Sequence, residues 1–497
     1  MVHQLRTMAT KVLTPLTRSK HPHLKRGPFK KLQQEDINYF RTVLGSNQIT
    51  TETDAHNIDL FNLYRGSSKL CLFPKSTEQV SSILAYCNDQ HLAVVPQGGN
   101  TGVSGGAVPV FDEIVVNMSK FNRIRAFDDL SGIATVDGGV ILEQLDQYLA
   151  PKGYTVPLDL GAKGSCQIAG NVSTNAGGLR LLRFGNLHGN VLGLEVVLPD
   201  GTILDDLSTL RKNNTGYDLK QLFIGAEGTL GMVTGVSLLT PIRPSSVNVT
   251  LVAMSSFEKV LQAYVSAKDH LGEILSAFEF WDMSSIKVVE SKMEMEAFPV
   301  SQSDAPFYAL VETQGSRDDH DKLKLEHYLE SLMAEDVVLD GVLAQDDKQM
   351  RSLWQWREKI PEAIVACGPA LTYDVSMDIR LFKQMVDSTM KHFEQKGLIG
   401  NTYQNIIGFG HIGDGNLHIM ANMTGFDHNA QEVFDKYVFE WALANKGSIS
   451  AEHGIGIHKV DYMERSKRGK NQLPLMNKIK NTLDPRGIMN PYKLLPE

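Results

Sequence analysis

The chain has 497 residues, 42% of them hydrophobic and 21% charged. That is enough for two or three domains with large cores, and it excludes a disordered, collagen-like or coiled-coil sequence. No run of about 18 apolar residues occurs, so no segment is expected to span a bilayer, and the net charge of −8 conceals a basic start followed by a more acidic body.

The first acidic residue is Glu35, and the 34 residues before it hold eight Lys/Arg, leaving 41 basic against 57 acidic residues elsewhere. An acid-free start with Arg6, Lys11, Arg18, Lys20, Lys25 and Arg26 among Ser and Thr predicts a mitochondrial transit peptide over residues 1–33. A basic disordered tail is the alternative. The acidic body argues against nucleic acid as a partner. Cys71, Cys87, Cys166 and Cys367 lie far apart with no CxxC, which excludes a zinc ribbon or a disulfide framework and fits a reducing compartment.

Residues 34–243 read as one domain of short strands, few helices and many glycine loops. Leu70–Phe73 is a predicted strand, Thr77–Asn88 a helix capped by Thr77, and Ala93–Pro96 the next strand. That unit ends in Pro96-Gln97-Gly98-Gly99-Asn100-Thr101-Gly102, where three glycines leave backbone N–H groups open to an anion. A second glycine-rich run, 157–185, is too long for an idle loop. A third, Gly225–Gly231, precedes Val233. Neither GxGxxG nor GxxxxGK[ST] occurs within residues 34–243, which disfavours a nicotinamide Rossmann domain and a P-loop.

Pro241 and Pro244 mark a boundary. Beyond it, strand Asn248–Met254, helix Phe257–Leu271 and strand Ile274–Trp281 are followed by the same order again: Phe307–Glu312, Asp318–Met333 and Val337–Val342. The helix face is expected to carry Val260, Leu261, Tyr264 and Val265. Two such units predict an antiparallel sheet backed by helices, in the ferredoxin-like manner, over residues 244–445. Residues 446–497 form a C-terminal segment expected to pack back on the first domain.

Within the second domain, Gly410-His411-Ile412-Gly413-Asp414-Gly415-Asn416-Leu417-His418 predicts a hairpin turning at Gly-Asp-Gly-Asn, with His411 and His418 on one side of neighbouring strands. Glu452 and His453 are the natural suppliers of a third ligand. Two His and one carboxylate with an open position form a catalytic zinc set, and iron or manganese also suits it. The alternative is two hydrogen-bonded histidines and an exposed Glu-His pair.

Taken together, PQGGNTG (96–102), NVSTNAGG (171–178), GYDLKQLFIGAEGTLG (216–231), GHIGDGNLH (410–418) and SAEHGIG (450–456) resemble the FAD-dependent D-2-hydroxyacid dehydrogenases, flavoproteins of the vanillyl-alcohol-oxidase type. The resemblance runs from about Phe29 to Lys493 and is strongest to the mitochondrial branch acting on 2-hydroxyglutarate. It implies an α+β fold with an FAD-binding domain of that type, a ferredoxin-like substrate (cap) domain with an antiparallel sheet, and a C-terminal helical segment.

It also implies roles. The FAD pyrophosphate is expected on Gly98, Gly99, Asn100, Thr101 and Gly102 after Pro96. Pro157, Gly161, Ser165, Gly170, Thr174 and Asn175 are expected along the flavin, with Val233 and Asn490 completing the pocket. His411, His418 and Glu452 would hold zinc or another divalent metal, Arg357 the substrate carboxylate, and His453 the hydroxyl proton, since an imidazole ordinarily titrates near pH 6.5.

The implied reaction is oxidation of D-2-hydroxyglutarate to 2-oxoglutarate in the mitochondrial matrix, with electron-transfer flavoprotein as acceptor. A homodimer is compatible with it. D-lactate or another D-2-hydroxyacid is the alternative substrate, because Pro361, Thr372 and Met420 stand where the resembled branch carries Thr, Lys and Asn.

Overall fold

The computed structural model describes residues 14–300 and 305–496. The chain divides into two compact units: residues 14–178, 186–243 and 452–496 in the first, 179–185, 244–300 and 305–451 in the second.

The first unit holds two sheets. One has the order β1-β2-β4-β3, built from β1 (Ile49–Thr50), β2 (Cys71–Leu72), β3 (Val94–Gln97) and β4 (Ile114–Asn117), with β2, β4 and β3 parallel. Parallel strands need a crossover, and helix Thr77–Gln90 supplies the one from β2 to β3, burying Val80, Ile83, Leu84 and Cys87. Its cap is Ser76, whose hydroxyl accepts from Gln79 N at 3.3 Å, not Thr77. The Thr77 hydroxyl is instead buried and donates to Glu195 Oε1 at 2.6 Å, because one residue further on it points inward rather than back at the orphan N–H groups. The other sheet is antiparallel, in the order β5-β6-β9-β7-β8: β5 (Ile124–Asp128), β6 (Ile133–Asp137), β7 (Val191–Val197), β8 (Ile203–Asp206) and β9 (Met232–Leu239).

The expected transit peptide, 1–33, lies in part outside the described residues. From Thr14 onward it is built into the first unit. Thr17 N donates to Arg65 O at 2.7 Å, Lys20 Nζ to Leu63 O at 2.6 Å, and Arg26 pairs with Asp112 at 2.5 Å.

The second unit is a seven-stranded antiparallel sheet in the order β13-β10-β12-β11-β15-β16-β14. Its strands are β10 (Ser246–Met254), β11 (Leu275–Asp282), β12 (Phe307–Gly315), β13 (Asp340–Leu343), β14 (Ala370–Ser376), β15 (Tyr403–His411) and β16 (Asn416–Met423). Helix Phe257–Leu271 buries Val260, Ala263, Tyr264, Ala267 and Leu271, while Val265 is 60% exposed. The 257/260/264/267/271 stripe follows the helical period, and Val265 falls off its edge. Helix Asp347–Cys367, capped by Asp346 accepting from Gln349 N at 2.8 Å, covers one sheet face through Leu353, Trp356, Ile360 and Ile364.

Two boundaries differ from the sequence expectation. Leu179–Gly185 joins the second unit, where Arg180 pairs with Glu312 and donates to Ser276 Oγ. Residues 446–451 stay there too, because Ser448 bridges to Ser376 at the end of β14.

A flavin cradle and a histidine pair

In the first unit, the loop leaving β3 is fixed from behind. Asn117 Nδ2 donates to Gln97 Oε1 (3.0 Å) and Gly98 O (3.1 Å), and Asn100, at φ 54°, donates through Nδ2 to Ile58 O at 2.8 Å. A Cβ on Gly99 would meet Ser165 O at 1.9 Å, so this glycine permits close backbone approach. Gly102 and Gly170 are different: a Cβ there would meet nothing within 4 Å.

Both open glycines line one cavity, together with Pro96, Gly98, Gly99, Asn100, Thr101, Thr174, Val233 and His453. Pro157, Gly161, Ser165, Asn175 and Asn490 are not among its walls. Asn490 is committed elsewhere: its Nδ2 donates to Gly106 O and Glu227 O, and its Oδ1 accepts from Lys493 Nζ. Its role is to tie the C-terminal segment down, beside the bridge between Val94 and Met489.

Gln167, Asn171 and Glu227, to which the sequence analysis gave no role, are among its further walls. Asn100 Oδ1, Gln167 Oε1 and Asn171 Oδ1 are buried there without a hydrogen-bond partner. Buried acceptors of this kind are costly unless a ligand satisfies them. A flavin offers donors at its ring N3–H and ribityl hydroxyls, so these atoms and the two open glycines fit FAD. The signal was available in the 157–185 run, where Gln167 and Asn171 stand one helical turn apart.

Glu452 and His453 belong to the first unit. A Cβ on Gly177 would lie 2.9 Å from Glu452 Cγ, so Gly177 makes room for this carboxylate rather than for the flavin. His453 is held by its own carbonyl, which accepts from Ser104 Oγ at 3.3 Å.

In the second unit, the predicted hairpin is β15–β16, turning at 412–415, with Phe409 opposite His418 and His411 opposite Asn416. His411 and His418 therefore share a face, and their Nε2 atoms lie 3.2 Å apart. Two nitrogens bound tetrahedrally to one zinc at about 2.0–2.1 Å would be about 3.3 Å apart, so the pair fits a shared ion. His411 Nδ1 lies 2.6 Å from Glu279 Oε1. A proton on Nδ1 donated to that carboxylate leaves the Nε2 lone pair for a ligand.

Glu279 is the residue that sequence reading missed. It sits on β11 directly opposite His411, and its other oxygen accepts from Arg357 Nε at 2.9 Å. Burial by itself pushes the Glu279 carboxyl up, but the charges of His411 and Arg357 and their hydrogen bonds bring it below the usual value. An acid in the middle of the apolar strand LSAFEFWD was the signal. Arg357 is accordingly not an exposed helix cation: it is 7% exposed, and its guanidinium stands 4.6 Å over the Phe409 ring. Beside the pair, Asp374 faces His418 across β14–β16 and accepts from Ala451 N at 3.2 Å.

The arrangement matches two family models: an FAD binding domain over residues 68–206 and the C-terminal domain of FAD linked oxidases over residues 243–494. The fold is that of a vanillyl-alcohol-oxidase-type flavoprotein. A solved 4-ethylphenol oxidase from Gulosibacter chungangensis superposes with a TM-score of 0.72 at 16% identity, covering 94% of this chain and 99% of that one. A zebrafish (Danio rerio) mitochondrial D-2-hydroxyglutarate dehydrogenase is 48% identical, covering 95% of this chain and 87% of its own. A Schizosaccharomyces pombe protein, provisionally named a mitochondrial D-lactate dehydrogenase, is also 48% identical, covering 95% and 92%. The chain belongs to the FAD-linked oxidase family.

Proposed function

We propose that this chain is an FAD-dependent D-2-hydroxyacid dehydrogenase that oxidises D-2-hydroxyglutarate to 2-oxoglutarate. The observation that carries the reading is the converging His411–His418 pair, tied through Glu279 to Arg357. Bound FAD supplies the acceptor for the hydride leaving C2, and a divalent metal, zinc or another, supplies Lewis acidity toward the 2-hydroxyl.

His411 and His418 would hold the metal, with Glu452 as third ligand. Arg357 takes the C1 carboxylate with its terminal amines, since Nε is engaged by Glu279. His453, on the wall of the flavin cavity, accepts the hydroxyl proton at its imidazole. The cradle of 98–102, Gly170 and Thr174 binds the dinucleotide.

The zebrafish and fission-yeast relatives are named mitochondrial, and the acid-free basic start supports a mitochondrial, matrix location for this chain. Electron-transfer flavoprotein is the acceptor that fits, and a homodimer the assembly. Among the described residues no helix is long and apolar enough to cross a membrane. A D-lactate reading is favoured by Thr372 and Met420, which remove polar contacts for a second carboxylate, and by the name of the fission-yeast relative.

Anaerobic mixing of the holoenzyme with a panel of D- and L-2-hydroxyacids tests both readings. D-2-hydroxyglutarate should bleach the flavin band near 450 nm faster than D-lactate, and neither L isomer should do so. Bleaching by L isomers alone, or by none of the panel, sinks the assignment. Chelation or His418→Ala should retain FAD yet slow bleaching at least about 100-fold.

A further inference from the structure

Glu227 stands on the cavity wall with a left-handed backbone, φ 51°, a conformation that is strained for any residue with a side chain. The strain is held from both sides: its N–H donates to Ser173 O at 2.7 Å, and its carbonyl accepts from Asn490 Nδ2 at 2.7 Å. This conformation aims the carboxylate at the loop that follows His453. Oε1 accepts from Ile455 N and Oε2 from Gly456 N, each at 2.7 Å. The two bonds close a fork between one carboxylate and two successive amides.

The loop has no room to relax away from that fork. Gly454 (φ 78°) and Gly456 (φ 54°) are both left-handed, and a Cβ would meet Glu227 Oε1 at 2.8 Å and Ser104 O at 2.0 Å respectively. From the opposite side Ser104 Oγ donates to the carbonyls of His453 (3.3 Å) and Gly454 (3.2 Å), and Ser104 O accepts from Ile457 N at 3.0 Å. Ser104 and Glu227 thus grip the segment 453–457 like two jaws. Burial raises the Glu227 carboxyl above the usual carboxylate value, against the amides of Ile455 and Gly456 and the charges of Lys459 and Lys493, which favour its ionised form.

We propose that Glu227 is a positioning residue for hydride transfer, holding His453 at the flavin cavity through the backbone of Ile455 and Gly456. The proposal rests on the reading of His453 as the proton acceptor. Glu227 itself touches neither the proton nor the hydroxyacid. Ordered backbone around the acceptor matters because a displacement of about 1 Å in a proton-transfer geometry can lower a rate about a hundredfold.

The test is a double-mutant cycle on the FAD-loaded full chain, read by anaerobic flavin reduction with D-2-hydroxyglutarate. Glu227→Gln keeps one acceptor but turns an N–H toward Gly456 N, and Glu227→Ala removes both bonds. The limiting reduction rate should fall about tenfold to a hundredfold, more for Ala than for Gln. FAD content and the substrate concentration at half-saturation should stay within about twofold. In the His453→Ala background the same substitutions should change the rate by less than about twofold, because the group they position is gone. Ser104→Ala should show the same non-additivity from the other jaw. Equal losses in both backgrounds, or loss of FAD on Glu227→Gln, would assign Glu227 to general packing or to the cofactor cradle and overturn the proposal. A His453→Ala enzyme that reduces flavin at full rate would instead overturn the reading of His453, a distinguishable failure.

Discussion

Thr372 and Met420 face each other across β14 and β16, two residues along from the Asp374–His418 pair and on the same sheet face. Two positions at which this chain departs from the 2-hydroxyglutarate branch are therefore direct neighbours. Met420 packs into the core beside Ile407 and Phe409, whereas a polar residue there would need a partner.

This juxtaposition makes selectivity testable by one substitution. A charged hydrogen bond to a distal carboxylate is worth about 1.5–3 kcal/mol, or roughly tenfold to a hundredfold in kcat/KM. Thr372→Lys should raise kcat/KM for D-2-hydroxyglutarate by about that factor and leave D-lactate nearly unchanged. Equal effects on the two substrates would place the distal charge elsewhere. Lys359 is a poor candidate for that role, because its Nζ pairs with Glu362 at 2.6 Å. Arg357→Ala should damage both substrates.

Glu279 should control metal retention rather than flavin binding. Removing a partner that orients a ligating histidine typically weakens metal affinity about 10- to 100-fold. Glu279→Gln keeps the shape but not the charge, so metal content after dialysis against a chelator should drop while FAD absorbance persists. Undiminished metal affinity in this variant would contradict the hydrogen-bonded tautomer assigned to His411.

The N-terminal contacts limit where a leader can end. Deletion of residues 1–13 should leave flavin content and Tm unchanged. Deletion of 1–33 removes the Arg26–Asp112 pair and the Thr17 and Lys20 bonds to the 63–65 turn, and it should lower Tm by several degrees. Thermal melts of both truncations decide the matter, and an unchanged Tm in the longer deletion would restore the larger leader.

Asp59 carries a pH dependence. Burial raises its carboxyl from 3.8 to about 6, against the hydrogen bond from Tyr64 N and the charge of Lys20. A carboxyl so raised stabilises the fold fully below 3.8, and that contribution is lost as the pH climbs through about 6. Asp59→Asn, which keeps an acceptor for Tyr64 N, should therefore stabilise the protein by about 3 kcal/mol at pH 7.5 and by about half that at pH 5. Chemical denaturation at the two pH values measures it, and equal gains at both would refute the ionisation argument.

What the sequence alone determined is what is local in it. The Gly98–Gly102 loop, the β15–β16 hairpin with its two histidines, and the alternation of strands and helices after Pro244 each depend on residues within a dozen positions of one another. Turn chemistry and periodicity specify such features before any long-range packing. The tertiary structure decided which side chains share a charge. Arg357 and Glu279 are 78 positions apart, and Glu279 and His411 132. No periodicity links them, and only the register of β11 beside β15 under helix Asp347–Cys367 brings them together. It likewise committed Asn490 to Gly106, Glu227 and Lys493 and gave Gly177 to Glu452, because a glycine or an amide serves whichever surface the fold presses against it, and that surface lies far along the chain.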